Sequence, residues 1–259
     1  MKQSIYRAMI ELTNGRFTSN LLYRFARSNA SRFAIAPFSK TYRINEDEIE
    51  NELKSYQTLH EFFIRKLKAD ARSIDMHEES IVSPVDAVIE DIGSIDQDRR
   101  IMVKEKEYSI SEMLGGDEAA SKYAGGTYMI FYLSPSHYHR IHSPVTGEIN
   151  KQWTLGRKSF PVNKWGLAFG RDTLSKNYRK ISEVGYEGGE LAIVKVGAMF
   201  VNSIERTHEG DKLEKGKEMA YFSFGSTVIL LFQKDAFQLL PSIQTPAHIR
   251  VGECIGHMV

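Results

Sequence analysis

The chain carries near its end the run Thr227-Val228-Ile229-Leu230-Leu231-Phe232, which is apolar after its first residue. A run of this length and composition predicts a strand that is buried on both faces. Four other β-branched runs, separated by Gly and Pro, predict strands at residues 87–92, 127–133, 191–196 and 249–255. Together they predict a body made mainly of antiparallel β-structure.

A short pattern occurs twice within this body. Ser-Pro-Val stands at residues 83–85 and 143–145, followed each time by two small or turn-forming residues and, two positions later, by an isoleucine. We interpret the pair as quasi-equivalent turn-and-strand corners of a sandwich-like or barrel-like body, similar to the corners of biotinyl- and lipoyl-carrying domains.

The first 71 residues predict amphipathic helices instead of strands. Apolar residues recur there at helical spacing with arginines between them, and Asn14-Gly15 separates the first two helices. A third helix is predicted from Asn45, and Thr58-Leu59-His60-Glu61 has the capping-box form that opens a further one. The sequence thus predicts an α+β chain with a helical head, residues 1–71, and a β-rich body, residues 72–259.

Charge is distributed unevenly along the chain. Residues 1–43 contain eight Lys and Arg residues against one acidic residue, Glu11, for a net charge of +7, whereas the whole chain carries +1. Basic residues beside a Leu and Phe face suit a helix pair that lies in the headgroup layer of an anionic membrane. The simpler interpretation is a helix pair docked on the body with solvated arginines. A total charge near zero argues against nucleic acid as the main partner.

Cysteine content and hydropathy limit the cellular compartments in which the protein is expected. The single cysteine, Cys254, cannot form an intramolecular disulfide, which favours a reducing cytoplasm. No apolar run approaches the roughly 18 residues of a spanning helix, and the N-terminus lacks an uninterrupted signal-peptide core. We therefore expect a protein that neither spans a membrane nor is exported.

The dipeptide Gly225-Ser226 stands at the entrance of the predicted central strand. A structural turn would need nothing more. However, glycine permits the backbone bend that brings a serine hydroxyl onto the preceding carbonyl carbon, which is the geometry of an N-to-O acyl shift. Elimination of the resulting ester and hydrolysis would leave residue 226 as a pyruvoyl group, with release of ammonia.

A block of histidines supplies acid-base groups for such chemistry. His137, His139 and His142 follow directly after the strand predicted at 127–133, and imidazole exchanges protons near neutral pH. The alternatives are a loop of solvated histidines, or a metal site that would need a fourth ligand, which no companion motif supplies. Asp86 in the first Ser-Pro-Val corner is of a type common in turns.

These segments together resemble the phosphatidylserine decarboxylase family, in its short bacterial, pyruvoyl-dependent form. The resemblance covers most of the chain: residues 83–87, the histidine block at 133–144, Phe160-Pro161-Val162-Asn163, Val196-Gly197-Ala198, and the motif at 224–227. It implies a proenzyme that cleaves between Gly225 and Ser226 into a β chain, residues 1–225, and an α chain, residues 226–259.

The resemblance also implies residue roles. Asp86, His142 and Ser226 correspond to a self-processing triad in which Asp86 orients the imidazole, His142 takes the proton and Ser226 is the nucleophile. His139 corresponds to the histidine that serves decarboxylation, by positioning the substrate carboxylate or by proton transfer. The pyruvoyl carbonyl then forms a Schiff base with phosphatidylserine and serves as the electron sink, which yields phosphatidylethanolamine and CO2 without a metal or pyridoxal phosphate.

The same resemblance gives expected partners and a location. The partners are phosphatidylserine, an anionic phospholipid membrane, and the α and β chains of one precursor, with a homodimer among the candidate assemblies and no nucleic acid. The expected location is peripheral, on the cytoplasmic side of the cell membrane.

Two other classes of function compete with this hypothesis. Aspartate, histidine and serine also serve hydrolases, but Ser226 lacks the Gly-x-Ser-x-Gly elbow and precedes a strand instead of a helix. A non-catalytic lipid-binding or carrier-like β module would be compatible with the Ser-Pro-Val corners, yet it would need neither the histidine block nor Gly225-Ser226.

Overall fold

The computed structural model describes residues 16–103, 105–157, 159–160, 172–198, 203–223 and 226–259, with the backbone alone for residues 16–20. Several sequence predictions therefore lie outside the described residues. These are the first helix with its Asn14-Gly15 break, the segment 161–163, and Gly225.

Helices dominate the described N-terminal segment. They are α1 (Arg16–Ala26), α2 (Ile35–Tyr42) and α3 (Leu59–Phe63), with 3₁₀ turns at Asn29–Ala34, Glu46–Glu48 and Leu53–Ser55. The N-cap predicted at Thr58 is confirmed, because its hydroxyl accepts a hydrogen bond from the Glu61 N–H at 3.1 Å. Apolar residues of this segment, which include Ile35, Ile49 and Phe62, pack together in a small hydrophobic cluster.

The helix predicted from Asn45 is wrong. The Asn45 side chain caps only one 3₁₀ turn, by accepting from the Asp47 N–H at 3.2 Å, and Ile49 then leaves the turn with an extended backbone. Ile49 forms an isolated antiparallel bridge with Leu67. Ile49 is therefore buried beside this bridge and not on a helix, whereas Leu53, at the next helical position, begins a separate 3₁₀ turn and is partly buried.

The body consists of sixteen described strands. They are β1 (Ser80–Val82), β2 (Ala87–Ser94), β3 (Arg100–Val103), β4 (Lys106–Ser109), β5 (Thr127–Leu133), β6 (Arg140–His142), β7 (Gly147–Leu155), β8 (Arg179–Tyr186), β9 (Gly189–Gly197), β10 (Ile204–Arg206), β11 (Lys212–Leu213), β12 (Glu218–Phe222), β13 (Ser226–Phe232), β14 (Phe237–Leu239), β15 (Ala247–Ile249) and β16 (Cys254–Met258). Three short helices of the described residues lie among them: α4 (Ile110–Leu114), α5 (Asp117–Ser121) and α6 (Thr173–Lys176).

These strands form open antiparallel sheets. The largest has eight strands in the order β11-β7-β8-β9-β13-β5-β2-β15, two sheets have three strands each, β1-β16-β14 and β10-β12-β6, and β3 pairs with β4. Every strand pairing is antiparallel. The predicted α+β class with a mainly antiparallel body is therefore confirmed.

Strand β13 lies in the middle of the eight-stranded sheet, between β9 and β5, and all seven of its residues are buried. Val228, Leu230 and Phe232 belong to one hydrophobic core, whereas Ile229 and Leu231 belong to the core on the opposite face. Burial of both faces explains why the strand is apolar without alternation.

The two Ser-Pro-Val corners are equivalent in structure. Ser83 Oγ donates to the Val85 carbonyl at 2.8 Å, and Ser143 Oγ donates to the Val145 carbonyl at 2.6 Å. The corners also exchange backbone hydrogen bonds, from the Val82 N–H to the Pro144 carbonyl at 3.1 Å and from the His142 N–H to the Pro84 carbonyl at 2.8 Å. The repeated Ser-Pro-Val pattern thus marks two corners that are related by quasi-twofold symmetry.

This relation extends to the sheets. The order β11-β7-β8-β9 in one half of the large sheet corresponds to β15-β2-β5-β13 in the other half, and the sheet β6-β12-β10 corresponds to β1-β16-β14. In sequence, the half made of β6 to β12 is inserted between β5 and β13 of the other half.

The strand predicted at residues 249–255 is wrong as one unit. The chain forms β15 and β16 there, separated by a turn that contains Gly252 with φ +87°. That left-handed backbone angle breaks the strand, and glycine adopts it readily.

Candidate active site

One end of the eight-stranded sheet collects the motifs that carry chemistry. Strand β2 begins there directly after Asp86, β5 ends there at Leu133, and β9 ends there at Gly197. Ser226 opens β13 between these strands and pairs with Leu133 on one side and with Gly197 on the other. The antiparallel order therefore places segments that are far apart in sequence at a common edge.

Ser226 is fully buried at this edge. Among the residues that the structure describes, its Oγ atom has no hydrogen-bond partner, and neither has Oγ1 of the neighbouring Thr227. A buried hydroxyl without a partner costs free energy, about 1–3 kcal/mol, and such groups concentrate at functional positions. The hydroxyl is available for reaction, while Gly225 on the other side of the expected scissile bond lies outside the described residues.

His139 is a buried, neutral imidazole. Its Nδ1 atom lies 2.8 Å from the His137 carbonyl oxygen, so Nδ1 carries the proton and Nε2 is the unprotonated nitrogen. Nε2 is buried and has no hydrogen-bond partner in the described part of the chain, and the ring packs against Phe63 with centroids 4.1 Å apart. Burial and the nearby Arg65 charge hold the pKa of His139 well below its ordinary value of 6.5.

The His139 backbone approaches the expected cleavage site. Its carbonyl accepts a hydrogen bond at 3.0 Å from the N–H of Phe222, four residues before Ser226. The last residue of β12 is therefore fixed to the histidine block.

His142 is held at both ring nitrogens. Nδ1 donates to the Gly216 carbonyl at 2.7 Å, which leaves Nε2 as an acceptor for the Tyr138 hydroxyl at 3.2 Å. Burial lowers the pKa of His142, although the hydrogen bond to Gly216 and the charges of Glu218 and Asp86 act in the opposite direction. His137 has a different arrangement, because its Nδ1 accepts from the Ser134 N–H at 3.0 Å.

Asp86 is engaged by an arginine and by the α-chain segment. Arg72 donates to it through Nε at 2.9 Å and through Nη2 at 2.5 Å, and the Val251 N–H donates to Oδ1 at 2.9 Å. Arg72 also forms an ion pair with Glu48 at 2.9 Å. The carboxylate is thus bound in a fork-like, charge-assisted geometry.

The predicted triad is brought to one region but not into hydrogen-bond contact. Asp86 and His142 lie on the two corners that exchange backbone hydrogen bonds, and Ser226 opens the central strand at the same sheet edge. Within the described residues, no hydrogen bond joins Asp86 to His142 or His142 to Ser226.

A cavity of about 370 Å³ opens on the Asp86 side of this edge. Its wall includes Arg65, Arg72, Asp86, His137 and His248, but not Ser226, His139 or His142. The cavity therefore lies beside the buried hydroxyl and imidazole and is separate from them.

Sequence reasoning missed Arg65, Arg72 and Tyr138. Arg65 is buried and donates to the Ser136 and His137 carbonyls at 3.0 and 3.1 Å, so it fixes the histidine block. An arginine after an apolar helix gives no sequence signal of its partner. Tyr138 could have been found, because it stands inside the histidine block.

Within the ranges that the structure describes, no group of three or more His, Cys, Asp or Glu side chains is arranged to hold a metal ion.

Among the residues that the structure describes, none of the helices has the length and apolar character needed to cross a membrane.

Comparison with known proteins gives consistent matches. A family model described as "Phosphatidylserine decarboxylase" matches residues 59–257. A protein from Geobacillus sp. (strain WCH70) named "Phosphatidylserine decarboxylase proenzyme" is 56% identical over 258 residues, which cover 100% of both chains. A protein of the same name from Geobacillus kaustophilus (strain HTA426) is 57% identical over 257 residues, which cover 99% of this chain and 97% of the relative. One from Bacillus cereus (strain ATCC 10987 / NRS 248) is 55% identical over 256 residues, which cover 99% and 98% of the two chains.

Proposed function

The chain belongs to the phosphatidylserine decarboxylase family, and from that membership we propose how its own residues perform the activity. The protein is a self-processing decarboxylase that converts phosphatidylserine to phosphatidylethanolamine and CO2. The observation that carries the residue assignment is the buried, unpartnered Oγ of Ser226 at the start of the central strand, beside the histidine block.

Self-processing begins with attack of Ser226 Oγ on the Gly225 carbonyl carbon. The C–N bond breaks as the C–O bond forms, and the hydroxyl proton passes through a base to the freed nitrogen. Elimination then removes the Cα proton of residue 226 to a base and breaks its Cβ–O bond, so that residue 225 leaves as a carboxylate and residue 226 becomes dehydroalanine. Addition of water and loss of ammonia give the pyruvoyl group.

We assign the proton transfer of this step to His142. Its Nδ1–H is fixed on the Gly216 carbonyl, and this tautomer makes Nε2 the proton acceptor. Uptake of a proton at Nε2 requires that the Tyr138 hydroxyl release its hydrogen bond. Asp86 completes the proposed triad as the negative charge that favours the imidazolium form.

The pyruvoyl group supplies an electron sink for loss of CO2 from the amine-bearing substrate. The residues present fit it, because Ser226 is buried, has no competing side-chain hydrogen bond within the described ranges and is held by strand pairing on both sides. We propose that His139 serves the decarboxylation step, since its neutral imidazole keeps Nε2 unpartnered in a buried position.

One measurement tests the self-processing proposal. The intact mass of the purified protein should show two fragments, residues 1–225 and 226–259, with the smaller one blocked at its N-terminus. Ser226→Ala should abolish cleavage. Ser223→Ala is the matched control, because Ser223 is also buried and lies three residues upstream. A wild-type chain that stays uncut, or a Ser226→Ala chain that is cut, would contradict the assignment.

We also propose that the helical head, residues 1–71, binds an anionic membrane from the cytoplasmic side. Four large apolar side chains of α1 and the following 3₁₀ turn are exposed: Leu21, Leu22, Phe25 and Phe33. Arginines stand beside them in the same segment. Exposed apolar area and cationic charge together favour the headgroup layer.

Vesicle binding tests the membrane proposal. A Leu21→Ser, Leu22→Ser variant should bind vesicles that contain phosphatidylglycerol more weakly than the wild type does. Met102→Ser is the control, since Met102 is similarly exposed but lies in the β3–β4 hairpin. Equal binding by all three proteins would contradict the proposal, and a dimer that buries these residues would be seen as a doubled mass in solution.

For the fold, we propose that the quasi-twofold body is related to biotinyl- and lipoyl-carrying domains. The matched hydrogen bonds of the two Ser-Pro-Val corners support this relation.

A further inference from the structure

Asp86 and Thr146 occupy equivalent positions in the quasi-twofold body. Each follows a Ser-Pro-Val corner, and each side-chain oxygen accepts a hydrogen bond from the backbone of the facing turn: Val251 N–H to Asp86 at 2.9 Å, and Lys215 N–H to Thr146 at 3.1 Å. The turns correspond as well, because Gly252 donates to the Ser83 carbonyl as Gly216 donates to the Ser143 carbonyl, at 3.0 and 2.8 Å.

This equivalence separates two roles of Asp86. Closing the corner requires only a side-chain oxygen, which a threonine hydroxyl supplies in the other half of the molecule. The negative charge of Asp86 is therefore not needed for the corner. What distinguishes Asp86 from its counterpart is the forked contact with Arg72.

Arg72 holds both oxygens of this carboxylate. Nε binds Oδ1 and Nη2 binds Oδ2, and the pair is well shielded, with 12% of the Arg72 side chain and 9% of the Asp86 side chain exposed. A planar guanidinium fixes the plane of a carboxylate in a way that a lysine ammonium does not. Nη1 of Arg72 is occupied by Glu48 at 2.9 Å and by the Ala71 carbonyl at 2.6 Å, so the guanidinium is itself anchored.

We propose that Arg72 is a positioning residue for self-processing, which fixes the orientation of the Asp86 carboxylate toward the His142 corner. The inference rests on the proposed role of Asp86 in cleavage. Arg72 touches neither Ser226 nor the histidines by any hydrogen bond or ion pair within the described residues, and therefore acts through Asp86.

The test measures the rate of self-cleavage of newly translated full-length chain by intact mass. A carboxylate displaced by about 1 Å lowers the rate of a positioned reaction by up to about 10²-fold. Arg72→Gln should therefore slow cleavage about 10²-fold, and Arg72→Lys, which keeps the charge without the fork, should recover only part of the rate. Arg100→Gln is the matched control, because it removes an exposed arginine–glutamate pair far from this corner.

A double-mutant cycle distinguishes positioning from general support of the fold. Asp86→Thr keeps the corner hydrogen bond by analogy with Thr146 and removes the carboxylate. If Arg72 acts through Asp86, the double variant should cleave no more slowly than Asp86→Thr alone. Additive losses would overturn the proposal, as would wild-type cleavage by Arg72→Lys and Arg72→Gln.

Decarboxylation by the cleaved protein is a second readout, because a residue that only supports the fold would also change this activity when it is replaced. Arg72→Lys that has been incubated until cleavage is complete should decarboxylate phosphatidylserine with the kcat and KM of the wild type. Lowered kcat in that fully cleaved protein would overturn a role confined to processing. If Asp86→Thr itself cleaves at the wild-type rate, the proposed triad fails; if it is slow while the Arg72 variants are normal, only the positioning role fails.

Discussion

Lys195 in β9 offers a quantitative test of the electrostatics of the core. Its side chain is fully buried in the eight-stranded sheet, and Nζ lies 2.7 Å from Ser182 Oγ. Burial, with smaller contributions from Lys180 and Arg206, lowers the pKa of Lys195 from 10.5 to about 7. Ser182 Oγ also accepts from Gln152 Nε2 at 2.8 Å, so its proton is free to be donated to a neutral lysine nitrogen.

The pH dependence follows from this difference in pKa. Between pH 7 and 10.5 the folded protein binds fewer protons at Lys195 than the unfolded chain does, so the free energy of unfolding rises with pH in that window. Over the full window this difference in pKa contributes ~5 kcal/mol, of which ~2 kcal/mol is gained between pH 7 and 8.5. Lys195→Met removes this dependence.

The assay is denaturant unfolding at pH 7 and pH 8.5 in the Ser226→Ala background, where the chain stays in one piece. The stability of the parent relative to Lys195→Met should rise by ~2 kcal/mol between the two pH values. Lys234→Met, which removes an exposed lysine, should leave the parent's pH dependence unchanged. A stability difference between parent and Lys195→Met that is constant with pH would show that Lys195 stays protonated in the fold and would refute the reasoning.

Two further predictions concern the corners. Gly252→Ala should destabilise the fold by ~1–3 kcal/mol in thermal unfolding, because φ is +87° and a Cβ atom would stand 2.6 Å from the Ser73 carbonyl oxygen. Gly210→Ala is the control and should destabilise the fold less, because Gly210 has φ +65° but open space around it. Equal destabilisation by the two substitutions would contradict the steric argument. The Tyr138→Phe chain should undergo self-cleavage at least as fast as the wild type, because His142 Nε2 loses a competing hydrogen bond. A tenfold lower rate of self-cleavage would contradict this prediction and would make the Tyr138 hydroxyl part of the proton pathway.

Sequence patterns predicted the strands best where burial is most complete. The central run at 227–232 is β13 less its first residue, and the run at 127–133 is β5, because strands covered on both faces leave an uninterrupted apolar signature. The prediction from Asn45 was wrong because Ile49 pairs in an antiparallel bridge with Leu67, a contact that local periodicity does not encode.

The site was predicted unevenly for the same physical reason. Histidines beside a strand and a Gly-Ser pair at a strand entrance are local features of the sequence, and the structure places Ser226 at the sheet edge where β5 ends before the histidine block. The contact between Arg72 and Asp86 depends on how a loop packs against a corner, and the neutral state that we expect for Lys195 depends on complete burial. Neither the contact between Arg72 and Asp86 nor the complete burial of Lys195 has a local sequence signal.

The insertion of one half-body into the other determines what cleavage after residue 225 would do to the architecture. The 34 residues from 226 to 259 contain β13, β14, β15 and β16, and three of these strands pair with β5, β9, β2 and β1 of the preceding chain. The two products would therefore be interleaved like the fragments of a split protein, with the new terminus in the interior instead of at the surface. Dissociation would require opening of the central sheet, so the cut could free one reactive end without releasing a fragment.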